Sequence, residues 1–281
     1  MNPSILLWEY KQHTPWKHNL SLNVKRFKRI PYRIGVIKNL YISMKFSNNF
    51  HFQIVGCLFI SAILIIPHAL HITEGSGINQ QLYPINSKPY GLTYGEWSSK
   101  WWQWAMSIPT KDSPIVDKTG AKCAVGQNDP NVWFLAGTGG GEANRVCAIP
   151  AGKAIFFPII NVECDYSYPN LKTESDLRKC AKDDQDKVTN LLTTVDGVAI
   201  PDLKQYRVQS PLFNMTVPKD NVMGIPPGTA QAVSDGFWVF LRPLPPGKHE
   251  IDFTGSLADF TATGPLNLVE DAKYDVTITE P

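Results

Sequence analysis

Beyond residue 93 the apolar positions change period several times, and each change predicts an element. Thr93-x-x-Glu96 is a capping box, and Pro109 closes the segment that follows it. Within that segment Trp97, Trp101, Trp104, Ala105 and Ile108 fall on one arc at about 100° per residue, so a helix is predicted. Its three in-line tryptophans are expected to fix it to a sheet, with Trp102 projecting to the side. A second helix is predicted over 173–195: Leu177, Ala181, Val188, Leu191, Leu192 and Val195 make one stripe, and Lys182, Asp183, Asp186 and Lys187 a solvated face.

The remaining patterning is that of strands. Residues 132–136 and 154–160 are continuous apolar runs, and Phe237-Trp-Val-Phe-Leu241 reads as a buried central strand. Phe213, Met215 and Val217 alternate with polar neighbours, as do His249, Ile251 and Phe253, and then Tyr274, Val276 and Ile278. Asp196-Gly197 and Pro245-Pro-Gly247 mark turns, and the glycine-rich 137–141 reads as a hairpin loop. The expectation is a mainly β protein, a β-sandwich or jelly-roll-like pair of antiparallel sheets with two decorating helices.

One apolar run precedes all this. From Phe52 to Ile72 it carries no charge, with residues 54–66 as its unbroken centre. Nine Lys/Arg and one acid lie before it, 18 Lys/Arg and 24 acids after it, so the formal +2 conceals about +8 against −6. That asymmetry is the positive-inside pattern, and it places everything past the run across a membrane. A centre of 13 residues closed by Pro67 fits a cleaved signal, which needs about 7–15 apolar residues. Twenty-one positions also suffice for an anchoring helix, which needs about 20, and that alternative stays open. The organisation expected is a basic leader or cytosolic tail over 1–51, with Met44 as an alternative start, the signal or signal anchor over 52–72, a polar linker over 73–92, and an exported domain over 93–281.

Composition supports export and narrows the chemistry. An aromatic content of 11% with 22 prolines and 20 glycines argues against disorder and for short strands joined by turns. No basic stripe survives past the leader, so no nucleic-acid partner is expected. Cys123, Cys147, Cys164 and Cys180 form an even set suited to disulfides outside the cytosol; three pairings exist, of which Cys123–Cys147 with Cys164–Cys180 closes the shortest loops. A four-cysteine zinc site fails on spacing, because no Cys-x₂₋₄-Cys pair occurs.

Histidine use is the sharpest exclusion. Five of the six precede residue 73, leaving His249, which is predicted inward on a strand as a hydrogen-bonded core residue. Multi-histidine metal sites are therefore not expected, and neither cofactor nor metal is. Asp183-Asp184-x-Asp186 lacks the glycine and distal glutamate of a calcium loop, and 137–141 lacks the phosphate-loop pattern. Carboxylates remain. Glu163 and Asp165, followed by Tyr166 and Tyr168, are expected on a disulfide-pinned loop, and with Trp102 they are the candidate ligand-binding residues. Asp112, Asp117 and Asp235 read as ordinary turn residues, and Arg207 and Arg242 as ion-pair partners. Asn214-Met-Thr216 is a glycosylation sequon on the outward side of a strand.

Several stretches carry a resemblance: YGEWSSKWWQWA from Tyr94 to Ala105, IPAGKAIFFPIIN from Ile149 to Asn161, Val233-Ser-Asp-Gly-Phe-Trp238 and Pro246-Gly-Lys-His249. They resemble an uncharacterised family of exported prokaryotic proteins. The resemblance covers most of the chain after Tyr94, implies export, and brings no activity or site residues. Function is accordingly expected to be non-catalytic binding of an extracellular ligand, a glycan in the reading that the aromatics favour, with the membrane as partner through 52–72. The alternatives are a carboxylate-dependent glycan hydrolase using Glu163 and Asp165, and a structural envelope component.

Overall fold

The computed structural model describes residues 76–258 and 267–280. The basic leader and the apolar run at 52–72 lie outside the described residues, and no described helix is long and apolar enough to cross a membrane. The mainly β expectation holds. One sheet is ordered β1 (Val132–Phe134), β3 (Ala154–Asp165), β8 (Gly228–Leu241), β6 (Arg207–Gln209), with β7 (Phe213–Val217) also paired to β8. The other is ordered β2 (Gly141–Ile149), β10 (Leu268–Ile278), β9 (Gly247–Leu257), β4 (Val188–Val195), β5 (Val198–Ala199). Most pairs are antiparallel, but β1 runs parallel to β3 and β2 parallel to β10.

Those parallel pairs correct one expectation. Residues 137–141 do not close a hairpin, because β1 and β2 belong to different sheets and the glycines carry the chain between layers. The turn at Asp196-Gly197 does join neighbouring strands; both residues have positive φ (51° and 75°), the backbone that suits a tight two-residue turn.

Helix α2 (Tyr94–Ser107) lies over the β3/β8 sheet, opposite the second sheet. Its capping box forms as expected: the Glu96 N–H donates to Thr93 Oγ1 at 3.2 Å and the Thr93 N–H donates to Glu96 Oε2 at 2.7 Å. Phe156 stacks on Trp238 (5.0 Å, 5°) on the helix-covered face, and Phe157 stacks on Phe253 of the other sheet (4.8 Å). Being covered on both faces is why all twelve residues of β3 are buried and why its sequence is a continuous apolar run rather than an alternating one.

A bulge then re-aims the end of β3. The β3–β8 register shifts between Pro158 and Ile160, where proline has no N–H to donate to a ladder. Before the shift Phe156 pairs with Phe240 and Pro158 with Trp238; after it Asn161 pairs with Gly236 and Glu163 with Ser234. The Ser234 hydroxyl lies 3.3 Å from that of Ser98 on α2, so these later pairs share the helix-covered face. Without the extra residue, Asn161 and Glu163 would point at the second sheet.

Helix α3 (Glu174–Gln185) is shorter than its apolar stripe predicts. It begins on a Thr173/Asp176 capping box, and the chain turns extended at Val188. Five of the eight residues of β4 are β-branched, which favours strand, and the outer edge of β9 offers a ladder that a continued helix would forgo. The stripe from Val188 to Val195 is therefore split between the two faces of a strand, and Leu192, one of its members, is exposed. Residues 76–92 are likewise no free linker. A short helix α1 (Ser76–Gln81) buries Ile78 and is followed by buried Leu82, and the Tyr83 N–H donates to Phe240 O at 2.9 Å.

Both short-loop disulfides form, Cys123–Cys147 and Cys164–Cys180, and they are compatible with an extracytoplasmic location. His249 is held as a structural residue, with its ring nitrogens 2.8 Å from Asp196 Oδ2 and 2.9 Å from Pro245 O.

Candidate functional site

Past Phe156 the ladder from β1 ends, and a cleft of about 710 Å³ opens against residues 161–164 of β3. Trp101 and Trp102 of α2 form one wall; Gly137, Thr138 and Gly139 of the inter-sheet passage and Glu270 of β10 form another. Tyr168 and the Asp184/Lys187 pair stand at its margin, the pair closed at 2.8 Å. A larger hollow of about 880 Å³ beside β4 and β6 holds Arg207, but that guanidinium is already bonded to Asp235 and Asp186. Asp235, read from sequence as a turn residue, is in fact a buried member of β8 fixed by this arginine.

The wall of this cleft carries several buried polar atoms that lack protein partners. Three α2 tryptophans have satisfied indoles: Trp97 Nε1 donates to Pro89 O, Trp101 Nε1 to Leu135 O and Trp104 Nε1 to Val125 O. Trp102 Nε1, buried and edge-on to Trp101 at 5.2 Å, has no partner. Neither do Asn161 Nδ2, Glu163 Oε1 and Oε2, nor Glu270 Oε2. Buried polar atoms left without a partner cost about 1–3 kcal/mol each, and several of them border this one cleft.

Both glutamates titrate far from their ordinary range. Burial pushes the Glu163 carboxyl up to about 8, with the neighbouring Asp165 adding to the rise. Burial pushes Glu270 to about 7, opposed first by the Arg145 guanidinium and then by hydrogen bonds from the backbone N–H groups of Thr138 and Gly139. Near neutrality Glu163 is mainly protonated and Glu270 divided between its two forms, so one cleft holds a hydrogen-bond donor acid beside a partly ionised one. Tyr168 is kept protonated by partial burial and by the nearby acids.

Glu270 is set by an arrangement that sequence reading missed. Arg145 on β2 is buried and spends its N–H groups on Asp117 O, Ala136 O, Ile115 O, Gly137 O and Tyr274 Oη, tying two loops to β10. Gly137 leaves room for the acid: a Cβ there would lie 2.3 Å from Glu270 Oε2. A usable signal was present. The alternation Tyr274, Val276, Ile278 extends back through Ala272 to Glu270, which makes that glutamate inward-facing on a core strand. Arg145 likewise shares the inward register of Ala143, Cys147 and Ile149.

The candidate residues read from sequence separate. Trp102 and Glu163 meet in the cleft. Glu163 and Asp165 do not sit on a loop but inside β3, because the strand continues past its last aliphatic run. Asp165 is fully buried behind the wall, where its Oδ1 accepts the Ser167 N–H and its Oδ2 has no partner. Tyr166 is exposed beyond the strand end and does not line the cleft. Asn214 is exposed on β7, as the sequon reading requires. Cys164, Cys180 and Asp184 lie close enough to suit a metal ion, but both sulfurs are committed to the disulfide and have no thiolate to offer.

No protein-family model matches the chain, and no curated protein matches it. One solved structure, the solution structure of amebosin, aligns with 53% of this chain and all of its own at 10% identity and a TM-score of 0.16. A likeness at that level carries no argument about fold or activity.

Proposed function

We propose that this is an exported, non-catalytic domain that binds an extracellular glycan in the Trp102/Glu163/Glu270 cleft. The observation carrying the reading is the set of unpartnered polar atoms around the cleft, donors and acceptors together, beside an aromatic wall. Hydroxyl groups are both donors and acceptors, so a polyol satisfies such a mixture, while the apolar C–H face of a sugar ring suits indole. A cleft of about 710 Å³ has the size of ordinary small-ligand sites.

Export rests on the charge asymmetry about residues 52–72 and on the disulfides. The mature N-terminus, read by mass spectrometry, separates a cleaved signal from an anchor: it begins beyond residue 72 in the first case and retains the run in the second. For binding, the full chain is screened on a glycan array and the strongest hit is titrated. Trp102→Phe, which keeps an aromatic ring but removes the pyrrole half of the indole with its N–H, is expected to weaken that hit about tenfold, equivalent to about 1.4 kcal/mol. An array without any hit overturns the proposal.

A second reading, hydrolysis of the same glycan, is favoured by one observation: two carboxyls with unequal surroundings share the cleft. Release of new reducing ends, abolished in Glu163→Gln while binding persists, would move the assignment from binder to hydrolase.

A further inference from the structure

We propose that the ligand of this cleft carries a protonated amine, so that the site takes an amino sugar with a free ammonium in preference to its N-acetylated or neutral counterpart. The proposal rests on the glycan reading and specifies it. When the glutamates are ionised, the wall holds three unpartnered acceptors, Glu163 Oε1, Glu163 Oε2 and Glu270 Oε2, against two unpartnered donors, Asn161 Nδ2 and Trp102 Nε1. An ammonium brings three donors and no acceptor, which redresses that imbalance; an acetamido nitrogen brings one donor, no charge, and a carbonyl acceptor alongside.

Charge points the same way. Each other acid at the cleft has a basic counterpart: Asp184 is paired with Lys187, and Glu270 feels the Arg145 guanidinium behind it. The titratable neighbour that raises Glu163 is Asp165, a second acid, and Tyr168 beside them is a phenol. A cation placed at Glu163 would let that carboxyl ionise and would convert neutral hydrogen bonds into charge-assisted ones, which are about twice as strong.

The mechanism makes a measurable claim about protons. At pH 6 Glu163 is protonated in the free protein, because burial holds its carboxyl near 8. Binding of an ammonium ionises it, so one proton leaves Glu163 on complex formation, and Glu270, held near 7, adds to the release as it ionises beside the same cation. Calorimetry of the full chain at pH 6, in two buffers of different ionisation enthalpy, is run with a β-linked glucosamine tetramer, its fully N-acetylated form and the corresponding glucose tetramer. The amine form is expected to bind at least tenfold more tightly than the other two and to release at least one proton. Glu163→Gln, isosteric and neutral, is expected to lose the preference for the amine and, with it, the proton that Glu163 releases. Equal or tighter binding of the acetylated or neutral tetramer, or amine binding without proton release, overturns the amine inference and leaves the glycan reading standing. If none of the three tetramers binds and the array is also blank, both fall together.

Discussion

Replacing Glu163 by glutamine should make the protein more stable, by an amount that grows with pH. The carboxyl titrates near 8 in the fold and near 4.5 when unperturbed. Between those values the folded chain binds a proton that the unfolded chain has lost, so stability falls as pH rises through the window. The loss is absent below about 4.5 and complete above about 8. At about 1.4 kcal/mol per pH unit it reaches about 5 kcal/mol at pH 9, a ceiling set by a wall that stays dry when the carboxyl ionises. Glutamine keeps the shape, cannot ionise, and disturbs no protein hydrogen bond, because neither Glu163 oxygen makes one. For a domain of this size each kcal/mol moves Tm by about 2–4 °C, so a gain on the order of 10 °C is expected at pH 9 and almost none at pH 4.5. Thermal unfolding of both proteins at several pH values reads the difference directly. Glu270 titrates within part of the same window, so the variant keeps a reduced slope rather than none. A variant destabilised equally at both extremes would refute the account, since it would show that Glu163 contributes through contacts rather than through its charge.

Other perturbations test the framework around the cleft. Arg145→Lys replaces a five-donor guanidinium with a three-donor ammonium and leaves buried carbonyls of the 115–117 and 136–137 segments unpaired, a loss of about 3 kcal/mol or more measurable by urea denaturation. Gly255→Ala would place a Cβ 2.5 Å from Ile160 Cβ and 2.8 Å from Ile159 O, where the bulge meets the second sheet; backbone cannot yield as a side chain can, so a cost of about 1–3 kcal/mol is expected in the same assay. Gly137→Ala should displace Glu270 and weaken ligand binding more than it lowers Tm, because its Cβ would meet the end of that side chain rather than the main chain. Replacing Cys164 and Cys180 by serine opens a loop of 16 residues and should cost about 3 kcal/mol, with binding also impaired because both residues line the cleft.

Much of the fold was legible where one cause dominated. The Thr93/Glu96 capping box, the tryptophan arc, the Asp196-Gly197 turn and the alternation of β7 and β10 are local patterns, and each produced the predicted element. The second helix was misread past Gln185 because apolar spacing alone cannot separate helical from strand periods over eight residues; the ladder offered by β9 decided it. Disulfide pairing followed loop length, but a sequence allows three pairings, and it is the packing of α3 beside β3 that brings Cys164 to Cys180.

The site was legible only in part. Trp102 stood out because it leaves the apolar arc of its helix, and Glu163 because it sits with Asp165, Cys164 and two tyrosines just past an apolar run. Glu270 lies more than a hundred residues away from both and joins them through the pairing of β10 with β9 and β2. What the chain determined by itself was the local elements, together with the compartment suggested by its charge asymmetry and cysteines, since these depend on composition and on neighbours within a few residues. Tertiary structure alone decided which acids share a cleft, which way Glu163 faces after the bulge at Pro158, and which indole is left without a partner. Those properties depend on register, burial and charge between distant segments, and none of them exists until the two sheets are packed.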